Sequence, residues 1–220
     1  MTATPSTPPV ALEDRHADEA RLFSPSSARN SGAIAAVMAR VLPPSARVLE
    51  IGSGTGEHAV AACAARADIR WQPSDPDARS RRSQAAWAEE AGHDRIAAPL
   101  DLDLLRPGWR DGLEPVDALV CINVIHIAPW GVAEALAAGA ADMLAAGQPV
   151  VLYGPYLEGQ ATAPSNLDFD RSLKSRNPHW GVRQLDGVIA LFQRNGFDLA
   201  ERVDMPANNL SLIFVKRETA

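Results

Sequence analysis

"RVLEIGSGTGEHA", residues 47–59, runs from an apolar stretch into three glycines within five positions. Arg47 to Ile51 has the length and composition of a short strand covered on both faces. Gly52, Gly54 and Gly56 follow at once. A residue without a Cβ adopts positive φ freely, or lets a ligand come close to the backbone. "EHAVAACAARA" then reads as a helix. Strand, glycine turn and helix in that order place the turn at the carboxyl edge of a parallel sheet, where ligands bind at the point of reversed strand order.

The flanking sequence repeats this alternation. "SPSSARNSGAIAAVMARVLPP" reads as a helix with Ile34, Val37, Met38 and Val41 at helical spacing, stopped by Pro43 and Pro44. After the glycine turn, "IRWQPSD", "RIAAPLDLD", "VDALVCIN" and "QPVVLYGPY" read as strands two to five. The helices "PDARSRRSQAAWAEEAG" and "APWGVAEALAAGAADMLAAG" lie between them, ended by Gly92 and Gly147. Short links and continuous apolar strands indicate a parallel α/β sheet with helices on both faces. The last third begins with an aperiodic stretch. It ends in the helix "QLDGVIALFQRNGF" and two strands joined by "MPANN", a turn short enough to make that pair antiparallel.

Bulk properties narrow the function. The chain has 220 residues and a formal net charge of -6, with 46% hydrophobic and only 5% aromatic residues. This is the size of one domain with a full core. The acidic balance and sparse aromatics argue against a nucleic-acid partner. No apolar run reaches membrane-spanning length, and the amino terminus lacks the pattern of a secretory signal, so a cytoplasmic location is expected. Pro, Ser and Thr dominate "MTATPSTPPV", and a disordered tail is expected over 1–18, with one domain over 19–220. Cys63 and Cys121 lie in apolar surroundings and read as buried free thiols. The cysteines and histidines show no metal-ligand spacing.

The glycine spacing is G-x-G-x-G. A dinucleotide turn has G-x-G-x-x-G, and a P-loop ends in Lys followed by Ser or Thr. Neither matches. Asp75 follows Gly54 by about 20 residues, at the end of the second strand, where nucleotide folds place an acceptor for ribose hydroxyls. Asp77 is the neighbouring option, and either serves equally as a helix N-cap.

With Glu50 two residues ahead, "E-x-G-x-G-x-G" resembles motif I of the class I S-adenosylmethionine-dependent methyltransferases. The strings "FSPSSARN", "LEIGSGTGEHA", "WQPSD", "CINVIHIAPW", "VLYGPY", "PSNLDFDRSLKSRNPHWGVR" and "MPANNLSL" occur in order. Together they resemble, from about Arg21 to about Val215, a small methyltransferase-like family of bacteria and animals classified as a domain of unknown function. That family often has Ala where this chain has Gly52, which brings the loop nearer the general motif. The resemblance implies a single-domain, Rossmann-like class I methyltransferase fold. Its seven strands, counted from the one before the glycine turn, run 3-2-1-4-5-7-6 with strand seven antiparallel. It also implies S-adenosylmethionine as cofactor. Glu50 would support the loop or the methionine end. Asp101, with Asp103 as alternative, would read the adenine amino group, and Leu102 would touch the ring.

The acceptor side is read from polar residues at the strand ends. Asn123 and His126 follow strand four, and a neutral imidazole there can take a proton from the acceptor, or else be a structural histidine. Tyr153 joins them as a candidate catalytic residue. Arg29 and Asn30 are candidates for a carboxylate of cofactor or substrate, or are ordinary helix residues. Tyr156 lines the acceptor pocket or belongs to the core. The segment 157–183 reads as a long loop acting as a lid, with Asn166, Arg176 and Trp180 toward the acceptor. Its arginines, Arg171, Arg176 and Arg183, point to an anionic small-molecule acceptor. Two functions follow as expectations: direct in-line methyl transfer, or cofactor binding without turnover.

Overall fold

A computed structural model describes residues 16–218. The expected tail therefore lies outside the described residues up to 15, while His16–Asp18 form β1, paired antiparallel with β2 (Arg21–Phe23). Helix α1 spans Pro25–Val41. Ser24 caps it by accepting from the Ser27 N–H, and Pro25 sits at its first position, where no N–H is needed.

Strands β3 (Arg47–Ile51), β4 (Arg70–Pro73), β5 (Ala118–Ile122) and β6 (Pro149–Leu157) pair in parallel in the order β4-β3-β5-β6. The sheet continues through β9 (Asn209–Lys216), antiparallel to β6, to β8 (Phe197–Met205), antiparallel to β9. Helices α2 (Glu57–Ala65), α3 (Ala78–Glu90), α4 (Trp130–Met143) and α6 (Leu185–Arg194) connect these strands. A two-residue strand, β7 (Arg183–Gln184), adds to the end of β6.

The expected order 3-2-1-4-5-7-6 is present, with one change. The expected third strand is not continuous: its residues meet β4 only through isolated bridges, Trp71 with Ile96 and Ser74 with Leu100. Between them Pro99 carries no N–H to donate, and the Ala98 carbonyl is taken by the Gln72 side chain at 2.7 Å.

Strand residues alternate between two cores. Val48, Val120 and Tyr153 pack with α1 and α2 on one face; Leu49, Leu119 and Leu152 pack with α4 and α6 on the other. The segment 157–183 is not a loop. Pro164–Arg176 form α5, and Asn166 on it donates to the carbonyls of Tyr156 and Asn208 at 3.2 and 2.9 Å. The turn before β9 uses Ala207 and Asn208 at positive φ, whereas Asn209 is extended.

Gly56 decides how closely α2 approaches α3. Its φ is +98°, and a Cβ there would lie 2.8 Å from the Gln84 Cα. Backbone strain and a backbone clash add, so Gly56→Ala is expected to lower the unfolding free energy by roughly 2–3 kcal/mol in urea titrations.

Candidate functional site

The carboxyl edge is built from the glycine turn outward. Gly52 and Gly54 have φ of +65° and +56°, and a Cβ on Gly52 would sit 2.6 Å from the Val124 side chain. The turn is braced from the next strand end. The Gly54 N–H donates to Asp75 Oδ2 at 3.0 Å, and the Ser53 N–H to the Ser74 carbonyl at 2.7 Å. The other oxygen of Asp75 accepts from the Asp77 N–H at 2.9 Å. Asp77 is the N-cap of α3, accepting from the Ser80 N–H at 2.8 Å. The structure thus separates the two aspartates: Asp77 caps a helix, while Asp75 stands beside the glycine turn.

Glu50 lies beneath the turn, 1% exposed, and accepts from the Trp71 indole N–H at 3.0 Å. Burial pushes its carboxyl up to about 7, against the stabilising hydrogen bonds from Trp71 and Ser53. It faces the core, not the edge, so of its two expected roles the geometry supports bracing the loop. Because the folded state binds this proton more tightly than the unfolded chain, stability is full below about pH 4.5 and declines as pH rises through 7. Native protein is expected to lose roughly 2–3 kcal/mol at this position between pH 5 and pH 8. Glu50→Gln, which keeps the acceptor for Trp71, should remove that loss in urea titrations at the two pH values.

Beyond β4, Asp101 is exposed and holds Arg81 at 3.2 Å and Arg106 at 3.1 Å. Asp103 turns back to accept from the Leu105 N–H at 3.0 Å. Leu102 is packed in the core with Leu104 and Val116, so its expected contact with an adenine ring is corrected: its side chain is spent on the α4 face.

On the α1 side, the Asn30 side chain hydrogen-bonds the Tyr153 hydroxyl, and the Arg29 charge acts on the same phenol. Asn30 is buried, and its Oδ1 has no partner among the described residues. One turn earlier, Ser27 Oγ meets His58 Nε2, in the first turn of α2, at 3.4 Å. Burial holds the His58 imidazole down at about 4. Ser27 and His58 were not picked out from the sequence, although the His58 position, two residues after the last glycine, was the available signal. The edge therefore brings together Asp75, the glycine turn, Asn30 and Tyr153, with Asn123 next in line: the Asn123 N–H donates to the Tyr153 carbonyl at 2.8 Å, and its φ is +60°.

His126 and Tyr156 lie on the opposite face. Both are sealed: His126 and Tyr156 are each 1% exposed, with ring centroids 5.2 Å apart at 80°. Among the described residues, neither His126 nitrogen nor the Tyr156 hydroxyl has a hydrogen-bond partner. Burial holds His126 down at about 3. Tyr156 is a core aromatic and does not line a pocket, and Asn166 is spent on backbone carbonyls, so both expected acceptor contacts are corrected. Arg176 is exposed at the end of α5 and Trp180 is half-buried in the turn that follows. Arg183 donates to three backbone carbonyls, and Arg171 pairs with Asp168. Neither of these two arginines stands open to an anion.

A family model described as "Protein of unknown function (DUF938)" matches residues 21–216. Among solved structures, the S-adenosylmethionine-dependent methyltransferase SibL in its apo form is similar at 18% identity and TM-score 0.71, over 88% of this chain and 56% of that one. The O-methyltransferase family 2 protein from Planctomyces limnophilus, in complex with apigenin, is similar at 20% identity and TM-score 0.72, over 87% and 60%. CalO1, a methyltransferase in calicheamicin biosynthesis in its SAH-bound form, is similar at 16% identity and TM-score 0.68, over 84% and 54%. The chain thus spans little more than half the length of these proteins. What they share with it is the fold, the class I methyltransferase sheet with helices on both faces.

Proposed function

The chain belongs to the family described as protein of unknown function (DUF938), and we propose that it is an S-adenosylmethionine-dependent methyltransferase acting on a small-molecule acceptor. The observation that carries this reading is the glycine turn braced by Asp75 at the carboxyl edge of a class I methyltransferase sheet. The residues present fit the cofactor. Asp75 sets a carboxylate, an acceptor of the kind ribose hydroxyls need, directly beside the glycine turn, and the buried Asn30 Oδ1, without a partner among the described residues, lacks a donor that a ligand can supply.

When bound, S-adenosylmethionine supplies an activated methyl group. The chain's own residues then have separable tasks. Gly52, Gly54 and Gly56 admit the ligand to the backbone, with Glu50 bracing from below. Arg29 and Asn30 would hold its amino-acid end, and Asp101, already gripped by Arg81 and Arg106, would hold the adenine edge. Asn123 and Tyr153 orient the acceptor for in-line transfer, and alignment supplies much of the acceleration. His126, sealed on the opposite face in this structure, serves as the base in this reading only when its loop brings the imidazole to the edge. Arg176 at the end of α5 and Trp180 in the turn after it would border the acceptor, whose proposed anionic character rests on Arg29 and Arg176. The protein works without nucleic acid or membrane partners in the cytoplasm. Among the described residues no helix is long and apolar enough to cross a membrane.

The sealing of His126 favours a second reading, a cofactor-binding regulatory or partner protein without turnover. Calorimetric titration with S-adenosylmethionine and S-adenosylhomocysteine tests the common premise; micromolar binding is expected, and its absence in folded protein overturns both readings. Transfer of labelled methyl from S-adenosylmethionine to fractionated small-molecule extract then separates them.

A further inference from the structure

Arg183 is half-buried, and no carboxylate is within salt-bridge distance of it among the described residues. Its fork spends its donors on main chain instead. Nε donates to the Ile125 carbonyl at 2.8 Å, and Nη2 to the Ala128 and His179 carbonyls at 2.6 and 3.1 Å. The guanidinium also lies over the Trp130 ring, 5.7 Å from its centroid. Ile125 and Ala128 flank His126, whose own carbonyl accepts from the Gly181 N–H at 2.9 Å. Three carbonyls of one short loop are therefore held by the segment that follows α5. That segment is itself pinned, because Asp170 on α5 accepts from the Val182 N–H at 2.9 Å.

The loop has reason to need holding. It starts at Asn123, a non-glycine residue at positive φ, and presses the His126 ring against strand β6. A Cβ on Gly154 would lie 2.4 Å from His126 Nε2. Among the described residues, both ring nitrogens and the neighbouring Tyr156 hydroxyl lack partners in this arrangement. Buried polar atoms left unsatisfied destabilise the arrangement that buries them. An imidazole so placed gains hydrogen bonds by moving out, and what opposes the movement is the clamp on its loop.

We propose that Arg183 is a positioning residue for His126: its fork, with the Gly181 N–H, fixes the Asn123–Ala128 loop and thereby ties the α5 segment to the proposed transfer site. This rests on the reading of His126 as the base, but its test does not need activity. The charged and titratable groups around the ring are Arg183, Asp170 acting through Arg183, the Tyr156 phenol and the Cys121 thiol beneath it.

The test is imidazole NMR on labelled protein, with His126 assigned from the spectrum of His126→Gln, across pH 5 to 8. In native protein the His126 signals should not titrate. Arg183→Met removes charge and fork; Arg183→Gln also removes the charge, and leaves one amide nitrogen in place of the two that reach the Ile125 and Ala128 carbonyls. Both should bring His126 into the titrating range and raise amide exchange across residues 124–128 at least tenfold, while circular dichroism stays native. The proposal is overturned if folded Arg183→Gln leaves the His126 titration and the loop exchange native, since the loop would then hold without the fork. Should Arg183→Met fail to fold, the glutamine variant decides alone. Titration with S-adenosylhomocysteine, run on native protein, reports on the cofactor reading independently.

Discussion

Asp75→Ala is expected to weaken S-adenosylhomocysteine binding by at least 100-fold while the protein stays folded. The carboxylate has two tasks in one place. It braces the Gly54 N–H, and in the proposed complex it accepts from ribose. Hydrogen bonds to a charged group contribute about 1.5–3 kcal/mol each, so losing two corresponds to roughly two to four orders of magnitude. Asp75→Asn keeps one acceptor and should fall between. Gly54→Arg places a long side chain in the turn itself and should abolish binding. The fold is expected to survive Asp75→Ala, because the cap of α3 belongs to Asp77. Calorimetry at 25 °C reads all three, and undiminished affinity in Asp75→Ala would remove Asp75 from the site.

The second large effect concerns acid stability. His126 is buried neutral, with its proton affinity held down to about 3, whereas in the unfolded chain it returns to the ordinary value of about 6.5. Between those values the unfolded state binds a proton that the folded state does not. Stability is therefore fully present above about pH 6.5 and falls as pH drops toward 3. From pH 7 to pH 4.5 this position should cost about 3 kcal/mol. His58, held down to about 4, adds a comparable loss, and Glu50 offsets part of it as its buried carboxyl protonates. The clean reading is a difference: His126→Gln should lose about 3 kcal/mol less than native protein between the two pH values in urea unfolding. Equal losses would mean that His126 is solvated in the folded state.

These expectations differ in how far the sequence could have carried them. The glycine spacing, the acid at the end of the second strand and the alternation of apolar runs with amphipathic stretches are local signals. A strand covered on both faces must be continuously apolar, and a helix must repeat near 3.6 residues, so fold class and strand order followed from short windows and the resemblance they support. The third strand was misread because Pro99 interrupts pairing at an edge that composition alone cannot locate. The helix α5 was missed because its polar surface leaves little apolar period; only Asn166, Asp170 and Leu173 are buried.

The site divides in the same way. By itself the sequence determined the glycine turn, Asp75 as one of two candidates, and the tyrosines and His126 as residues near the strand ends. It also held one unused clue: Tyr153 and Tyr156 are an odd number of residues apart on one strand, so they point to opposite faces. Only the tertiary structure decided the rest. It gave Asp77 to a helix cap and Asp75 to the turn, turned Glu50 under the loop, sealed His126 against Gly154, and set Arg183 on carbonyls 55 to 58 residues away in sequence. The physical reason is that periodicity and turn chemistry act between neighbours along the chain. Which polar atom finds which partner depends on groups brought together from distant segments, and no short window contains both ends of such a bond.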